Sequence, residues 1–266
     1  MLAAVVPIKN EEKRLKQTIE TLLSIPIDLI VAVINGSNDA SHSIIRNKPT
    51  EKILPLLFTE TLGFDIPRAI GAKAALDRGA TTILFMDGDM DGNLSGNIKE
   101  LADMIDNGSA DMALTDCYRG GNLKDLSGLA NQVLKVRYQL NHAMGLEQRL
   151  GTALPSHGPH AVSHRLLLSV PLRELAIPPV SLALAVKGGL KVHVGTRVPH
   201  KELGSPDKNV QHSQLIAETI IGDCMEALNV YHDQPRRRVY GQLEYDGYHS
   251  QRRWDLLDDY LGHKNL

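Results

Sequence analysis

Cysteine is scarce in this 266-residue chain: Cys117 and Cys224 stand alone and far apart. No metal clip or redox motif has such spacing, and both thiols are expected to be reduced, buried and to act as small hydrophobes. An excess of one charge is also lacking, since 29 Lys and Arg face 31 Asp and Glu for a formal net charge of −2. That balance offers no global basic field to recruit nucleic acid or an anionic membrane. No run approaches the roughly 18 apolar residues that span a bilayer. The apolar start, residues 1–7, is too short for a signal peptide and has no basic leader. A cytoplasmic protein is expected, with action on a lipid at a membrane surface left open. Hydrophobic residues at 42% and charged residues at 23% suit a globular chain with a substantial core.

The first half alternates strand and helix patterns. Residues 2–6 and 29–34 are short apolar runs, the first ended by Pro7 and the second by Asn35-Gly36-Ser37. Leu15, Ile19, Leu22 and Leu23 make one helical face between them, and residues 53–58 are a weaker strand. A helix is expected over 66–79, with Gly79 ending it, then a buried strand over 81–86. Ile98, Leu101, Ala102 and Ile105 mark another helix, and residues 111–115 another strand. Alternation of this kind with continuous apolar strands predicts an α/β fold on a parallel, doubly wound sheet. Beyond it, helical segments are expected within 123–150, a loop at 155–159, a strand over 191–194 and a strong helix over 212–230. The expected organisation is one domain over 1–230, halved near residue 115, with a C-terminal extension over 231–266.

Phe85-Met86-Asp87-Gly88-Asp89-Met90-Asp91-Gly92 is the most informative segment. A buried parallel strand delivering Asp87, Asp89 and Asp91 to its carboxyl end puts hard oxygen ligands at the ligand-binding edge of the sheet. Carboxylates so crowded repel one another unless a cation neutralises them, and Mg²⁺ or Mn²⁺ prefers such ligands and shares them with substrate phosphates. An acidic surface turn is the alternative, because Asp-Gly pairs are common turn formers.

Four segments together resemble the family 2 glycosyltransferases and related GT-A enzymes. Val6-Pro7-Ile8-Lys9-Asn10-Glu11-Glu12 is similar to that family's first strand and P-x-x-N-E turn. Residues 33–41, VINGSNDAS, resemble its DDGSTD-x-T segment, and residues 63–71, with Arg68, resemble its Gly- and Arg-bearing helix start. Asp87-Gly88-Asp89 falls at its metal-binding D-x-D. The resemblance implies a GT-A fold, with a mostly parallel central sheet flanked by helices, and a metal-dependent sugar transfer from a nucleotide-diphosphate sugar to a small-molecule, saccharide or lipid-linked acceptor. It implies that Pro7, Asn10 and Glu11 line the nucleotide pocket, with Asn35 beside the base. Arg68 would approach the donor pyrophosphate, Asp87 the ribose or metal, and Asp89 the ion directly; Asp87, Asp89 and Arg68 form the expected catalytic set. Asn35 stands where many relatives have an Asp. The acidic pair that many inverting relatives use as acceptor base is absent, the corresponding residues 176–181 reading AIPPVS with Glu174 the nearest carboxylate. Similar cytosolic enzymes include retaining glucosyl- and mannosyl-3-phosphoglycerate synthases.

His157-Gly158-Pro159-His160 resembles the acceptor-side loop of these relatives, so His157 and Gly158 are acceptor candidates, a plain Gly-Pro turn being the alternative. His200 is a candidate third metal ligand with Asp89 and Asp91, since GT-A enzymes often use one late histidine. Five of the seven tyrosines (231, 240, 245, 248 and 260) and Trp254 follow residue 230, interleaved with Arg236, Arg237, Arg238, Arg252 and Arg253. This tail either packs on its own domain, clamps a second copy as a homodimer, or grips an anionic acceptor. Two other functions fit a similar sheet. A nucleotidyltransferase would carry a Gly-rich basic loop after the first strand, where this chain has Ile8-Lys9-Asn10-Glu11-Glu12. A non-catalytic sugar-nucleotide binding protein would fit the missing acidic base.

Overall fold

Alternation along the first strand sets the architecture. In β1 (Leu2–Ile8), Ala3 and Val5 point to one side of the sheet, while Leu2, Ala4, Val6 and Ile8 point to the other. Both sets are buried, as a strand covered on two faces requires. The structure is a computed structural model that describes residues 1–48, 51–118, 128–205 and 209–262.

In chain order, β1 is followed by α1 (Leu15–Leu23), β2 (Leu29–Asn35), α2 (Ser41–Arg46), β3 (Ile53–Phe58), α3 (Ile66–Leu76) and β4 (Thr82–Phe85). Then come α4 (Ser95–Asp106), β5 (Met112–Asp116), α5 (Gly128–Ala143), α6 (Glu147–Leu150), β6 (His160–Ser163) and α7 (His164–Ser169). The rest comprises α8 (Pro178–Lys187), β7 (Val192–Arg197), α9 (Val210–Tyr231), a hairpin of β8 (Val239–Tyr240) and β9 (Leu243–Glu244), and α10 (Trp254–Leu261). Short 3₁₀ turns lie at Leu172–Ala176, His200–Leu203 and His249–Gln251.

The seven-stranded sheet has the order β3-β2-β1-β4-β6-β5-β7. All neighbours pair parallel except β6, which runs antiparallel to both β4 and β5. The α/β fold and mostly parallel sheet are those expected. Strand β6 runs the other way because it follows the 155–159 loop directly and so enters the sheet from the edge where its neighbours leave. On one face, α3, α5, α8, α9 and α10 enclose the larger core, and on the other α1 and α4 enclose the second. Gly71 lets α3 sit close on β1, since a Cβ there would fall 2.3 Å from Val5 Cγ1.

The tail beyond residue 231 packs on the chain's own body. Leu257 is fully buried, Arg173 stacks over Trp254 at 4.3 Å, and Arg253 N–H donates to Leu62 O at 2.9 Å. Among the described residues no helix is long and apolar enough to cross a membrane. Both cysteines are free and buried.

Candidate active site

From β1 the chain goes outward to β2 and β3 on one side, and β4 flanks β1 on the other. Strand order therefore reverses beside β1, and a ligand crevice is expected outside the carboxyl ends of β1 and β4. At β1's exit Asn10 adopts φ +58°, a conformation that asparagine tolerates better than most residues. Its N–H donates to Ser37 Oγ at 3.1 Å, and its Oδ1 accepts from Asn38 N–H at 2.9 Å. Glu11 N–H donates to Ser41 Oγ at 2.9 Å, and Glu12 exchanges bonds with Asp39 and Ala40. The loops after β1 and β2 are thus one interlocked rim, starting at Pro7. Asn35, at the end of β2, is buried, and its amide is occupied by backbone: Oδ1 accepts from Leu62 N–H at 2.6 Å and Nδ2 donates to Gly63 O at 3.2 Å.

The acidic end of β4 is anchored on all sides. The Thr18 hydroxyl lies 3.1 Å from the carbonyl oxygens of both Gly88 and Met90. Gly88 passes so close to β1 that a Cβ would meet Pro7 O at 3.0 Å. Arg68, buried on α3, donates through Nη2 to Asp87 Oδ1 at 2.6 Å and through Nε to Asp65 Oδ1 at 2.8 Å. Burial opposes the charge on Arg68, yet Asp87, Asp65 and Asp89 outweigh it and hold its pKa above the usual arginine value. Asp89 is nearly buried, with Ser205 Oγ 3.3 Å from its Oδ1.

Asp91 sits differently from its two neighbours. Its carboxylate pairs with Arg14 Nε at 3.4 Å, and Arg14 also donates to Gly204 O at 3.0 Å. Gly92 N–H donates to Leu203 O at 3.2 Å, so residues 200–205 are pressed on the acidic loop. His200 belongs to that segment, and its Nδ1 lies 3.2 Å from His157 Nε2. Asp89, Asp91 and His200 do not form a three-ligand cluster. Among the described residues the three groups whose ligand atoms lie within 4.8 Å of one another are Asp223, Glu226 and His249. Arg238 and Arg252 occupy those, Arg252 donating to Asp223 and His249, and Arg238 to Asp223 and Glu226.

Beyond the carboxyl end of β5 the 155–159 loop brings His157 against Tyr118 and His200. Ring centroids are 5.4 Å apart for Tyr118 and His157, 5.8 Å for Tyr118 and His200, and 5.0 Å for the two histidines. Gly158 has φ +75° and lies tight on Thr115, where a Cβ would come 3.1 Å from Thr115 Cβ. Burial, Arg137 and His200 push the His157 imidazole well below its ordinary pKa, so it is neutral near pH 7. Arg137, on α5, is 2% exposed, its Nε is buried without a hydrogen-bond partner, and no carboxylate among the described residues pairs with it. His160 stacks on Phe85 at 4.8 Å and is held neutral by burial and by Arg68. Glu174, the carboxylate nearest the missing acidic pair, is engaged by Arg236 Nη2 at 2.8 Å.

The structure brings Pro7, Asn10, Glu11, Asn35, Arg68, Asp87, Asp89, Asp91, His157, Gly158 and His200 to one edge of the sheet. Arg14, Asp65, Tyr118, Arg137 and Ser205 also reach that edge, beyond the residues singled out from the sequence. Asp65 lies within the 63–71 motif and pairs with Arg68 three residues on, while the other four belong to no spaced motif and reach the site through tertiary packing.

The glycosyl transferase family 2 model matches residues 3–169. Solved structures of Mycobacterium tuberculosis glucosyl-3-phosphoglycerate synthase share the fold. The complex with uridine diphosphate aligns with a TM-score of 0.62 at 13% identity, covering 88% of this chain and 81% of that one. The complex with Mn²⁺, UDP-glucose and phosphoglyceric acid aligns at 0.59 and 13%, covering 88% and 80%. A structure described as a mycobacterial protein aligns at 0.61 and 14%, covering 88% and 76%. Among curated proteins none matches. With residues 3–169 spanning β1 to α7 and the carboxyl ends of β1 and β4, the chain belongs to glycosyl transferase family 2 and is a glycosyltransferase of GT-A fold.

Proposed function

We propose that this glycosyltransferase moves a sugar from a nucleoside-diphosphate sugar to an acceptor hydroxyl with a divalent cation at Asp89. One observation carries the reading: Asp87 and Asp89 leave β4 at the point where strand order reverses, with Arg68 on Asp87. The donor set fits a hard ion. Asp89 and the Ser205 hydroxyl are oxygen ligands, and Arg68 already balances the charge of Asp87. When bound, Mg²⁺ or Mn²⁺ supplies positive charge against the departing diphosphate.

The chain's own residues do the rest. The interlocked rim of Asn10, Glu11 and Ser37 holds the nucleoside end of the donor, and Asn35 braces that rim through the backbone of Leu62 and Gly63. Arg68 keeps Asp87 oriented and offers remaining donors to pyrophosphate oxygens. In the transfer the bond from the anomeric carbon to the phosphate oxygen breaks with its electron pair staying on the departing nucleoside diphosphate, a bond to the acceptor oxygen forms, and the acceptor proton is released to water. The acceptor approaches over His157 and Tyr118. The buried charge of Arg137 behind them favours an acceptor bearing a phosphate or carboxylate. Phosphoglyceric acid, the acid bound in the mycobacterial synthase, has that chemistry.

Asp89→Ala tests the assignment. Mn²⁺ titrated in the presence of UDP and followed by electron paramagnetic resonance should bind the parent and not the variant. Equal Mn²⁺ affinity in the two would overturn the site.

A further inference from the structure

Charges alternate in sign from the acidic end of β4 into the C-terminal tail. Arg68 is pinned between Asp87 at 2.6 Å and Asp65 at 2.8 Å. The other oxygen of Asp65 faces Arg252 Nη2 at 3.6 Å. Arg252 is itself locked: Nη1 and Nη2 donate to the two oxygens of Asp223 at 2.9 and 2.7 Å, and Nε donates to Phe64 O at 3.1 Å. Its side chain is completely buried.

Asp65 is under conformational constraint. It heads α3 with φ +61°, in the left-handed region. A residue other than glycine stays there only where its surroundings over-determine it. Two guanidiniums hold its carboxylate, and the tail holds the backbone around it. Arg252 grips Phe64 O, Arg253 N–H grips Leu62 O at 2.9 Å, and a Cβ on Gly63 would fall 2.3 Å from Gln251 O.

We propose that Arg252 is a positioning residue for the donor site: through Asp65 it fixes the Arg68 guanidinium on Asp87. Arg252 touches neither Asp87 nor Asp89, so its action is indirect. With Arg252 in place, Asp65 is shared between two cations and cannot turn toward Arg68 alone. Loss of the Arg252 fork frees both the carboxylate and the Phe64 turn, and Arg68 then loses its single orientation. The tail is by this route part of the donor site's support. The effect on nucleotide binding rests on the nucleotide-sugar reading above, while the effect on Arg68 does not.

The test uses the full-length chain with Arg252→Lys, which keeps charge and loses the planar fork, and Arg252→Gln. Arg253→Gln is the control, because that guanidinium pairs at the surface with Glu60 and Asp255. The first readout is the Nε–Hε resonance of Arg68 in proton–nitrogen NMR, assigned by its disappearance in Arg68→Lys. Both Arg252 variants should shift this resonance or lose it to solvent exchange, and Arg253→Gln should leave it in place. The second readout is UDP affinity with Mn²⁺, which should weaken about 10-fold in Arg252→Lys. Combining Arg252→Lys with Arg68→Lys should weaken it no further than Arg68→Lys alone. An unmoved Arg68 resonance in a folded Arg252→Lys protein would overturn the proposal. Should Arg252→Gln fail to fold, the lysine variant decides. A parent that binds no UDP with Mn²⁺ would sink the donor reading alone, and the Arg68 resonance would still decide the role of Arg252.

Discussion

Arg252 closes on both oxygens of Asp223, at 2.9 and 2.7 Å, from a position 29 residues later in the chain. Two-pronged contacts of this kind combine geometry with charge, and here the pair lies where water does not reach. Burial raises the Asp223 carboxyl, but Arg252 and Arg238 outweigh it and hold it below the usual aspartate range. Asp223→Asn would leave two buried guanidiniums short of a counter-charge. The expected cost is about 3–5 kcal/mol, as for other broken buried pairs, read from the urea midpoint. A loss below about 1 kcal/mol would mean that Glu226 suffices for Arg238 and Asp65 for Arg252.

The tail should be indispensable to folding. Removing residues 231–266 takes away Arg238 and Arg252, leaving Asp223 and Glu226 without their cations. Read from the sequence alone, this deletion is expected to weaken self-association or acceptor use. The contacts predict instead a chain without cooperative thermal unfolding. A truncated protein melting like the parent would show that these ion pairs are dispensable.

His249 makes stability depend on pH. Burial, Arg238 and Arg252 pull its imidazole down to about 4. Its Nδ1 lies 2.9 Å from Arg252 Nη1, and Trp254, Asp223 and Asp246 also face it. An unfolded histidine titrates near 6.5, so between about 6.5 and 4 the unfolded chain takes up a proton that the folded chain refuses. Stability is therefore lost as pH falls through that window. The full shift corresponds to about 3 kcal/mol. Because the ring is only half-buried, about 1–2 kcal/mol is expected after solvent screening. Urea unfolding of the parent and His249→Asn at pH 7.5, 5.5 and 4.5 checks this, and parallel losses in the two would contradict it.

Gly92 is a steric gauge of the acidic loop. A Cβ there would fall 2.1 Å from Glu202 O, so Gly92→Ala must push residues 200–205 away from Asp89. Ser205 would lose its contact, and His200 would move with the segment. Mn²⁺ affinity in the presence of UDP should fall about 10-fold, as when groups supporting a metal site are disturbed. Unchanged affinity would show that residues 200–205 have no part in the site.

Much of the first half was legible in the sequence because β1, β2 and β4 are buried on both faces and α1 and α4 on one. Helix α1 runs over Leu15–Leu23, where Leu15, Ile19 and Leu22 share a buried face, and β3 occupies Ile53–Phe58 as expected. Asp87 and Asp89 stand out in the sequence as carboxylates crowded at the end of a buried strand, which need positive charge beside them, whereas Arg68 is pointed to by the family resemblance of residues 63–71 and by no spacing of its own. Strand β6 and helix α8 were among the elements that were not legible. Strand β6 has four residues, too few for a period to register. Helix α8, Pro178–Lys187, is buried nearly all round, so its apolar residues show no amphipathic stripe. The role of Arg252 depends on Asp223 and Asp65, which are distant in the chain, and no local pattern encodes that; the burial of Arg137 is likewise a product of tertiary packing. Asp91 reads like a third ligand in the motif, yet its neighbour in space is Arg14.

Metal-linked recognition of a nucleoside-diphosphate sugar is the central claim, and a thermal-shift panel tests it most directly. UDP-, GDP-, ADP- and dTDP-sugars are each added with and without Mn²⁺, since a ligand that binds only the folded state raises its apparent stability. One nucleotide should raise the midpoint in the presence of Mn²⁺ and lose that effect in Asp89→Ala. No shift with any sugar nucleotide, or a shift that ignores Mn²⁺ and survives Asp89→Ala, would contradict it.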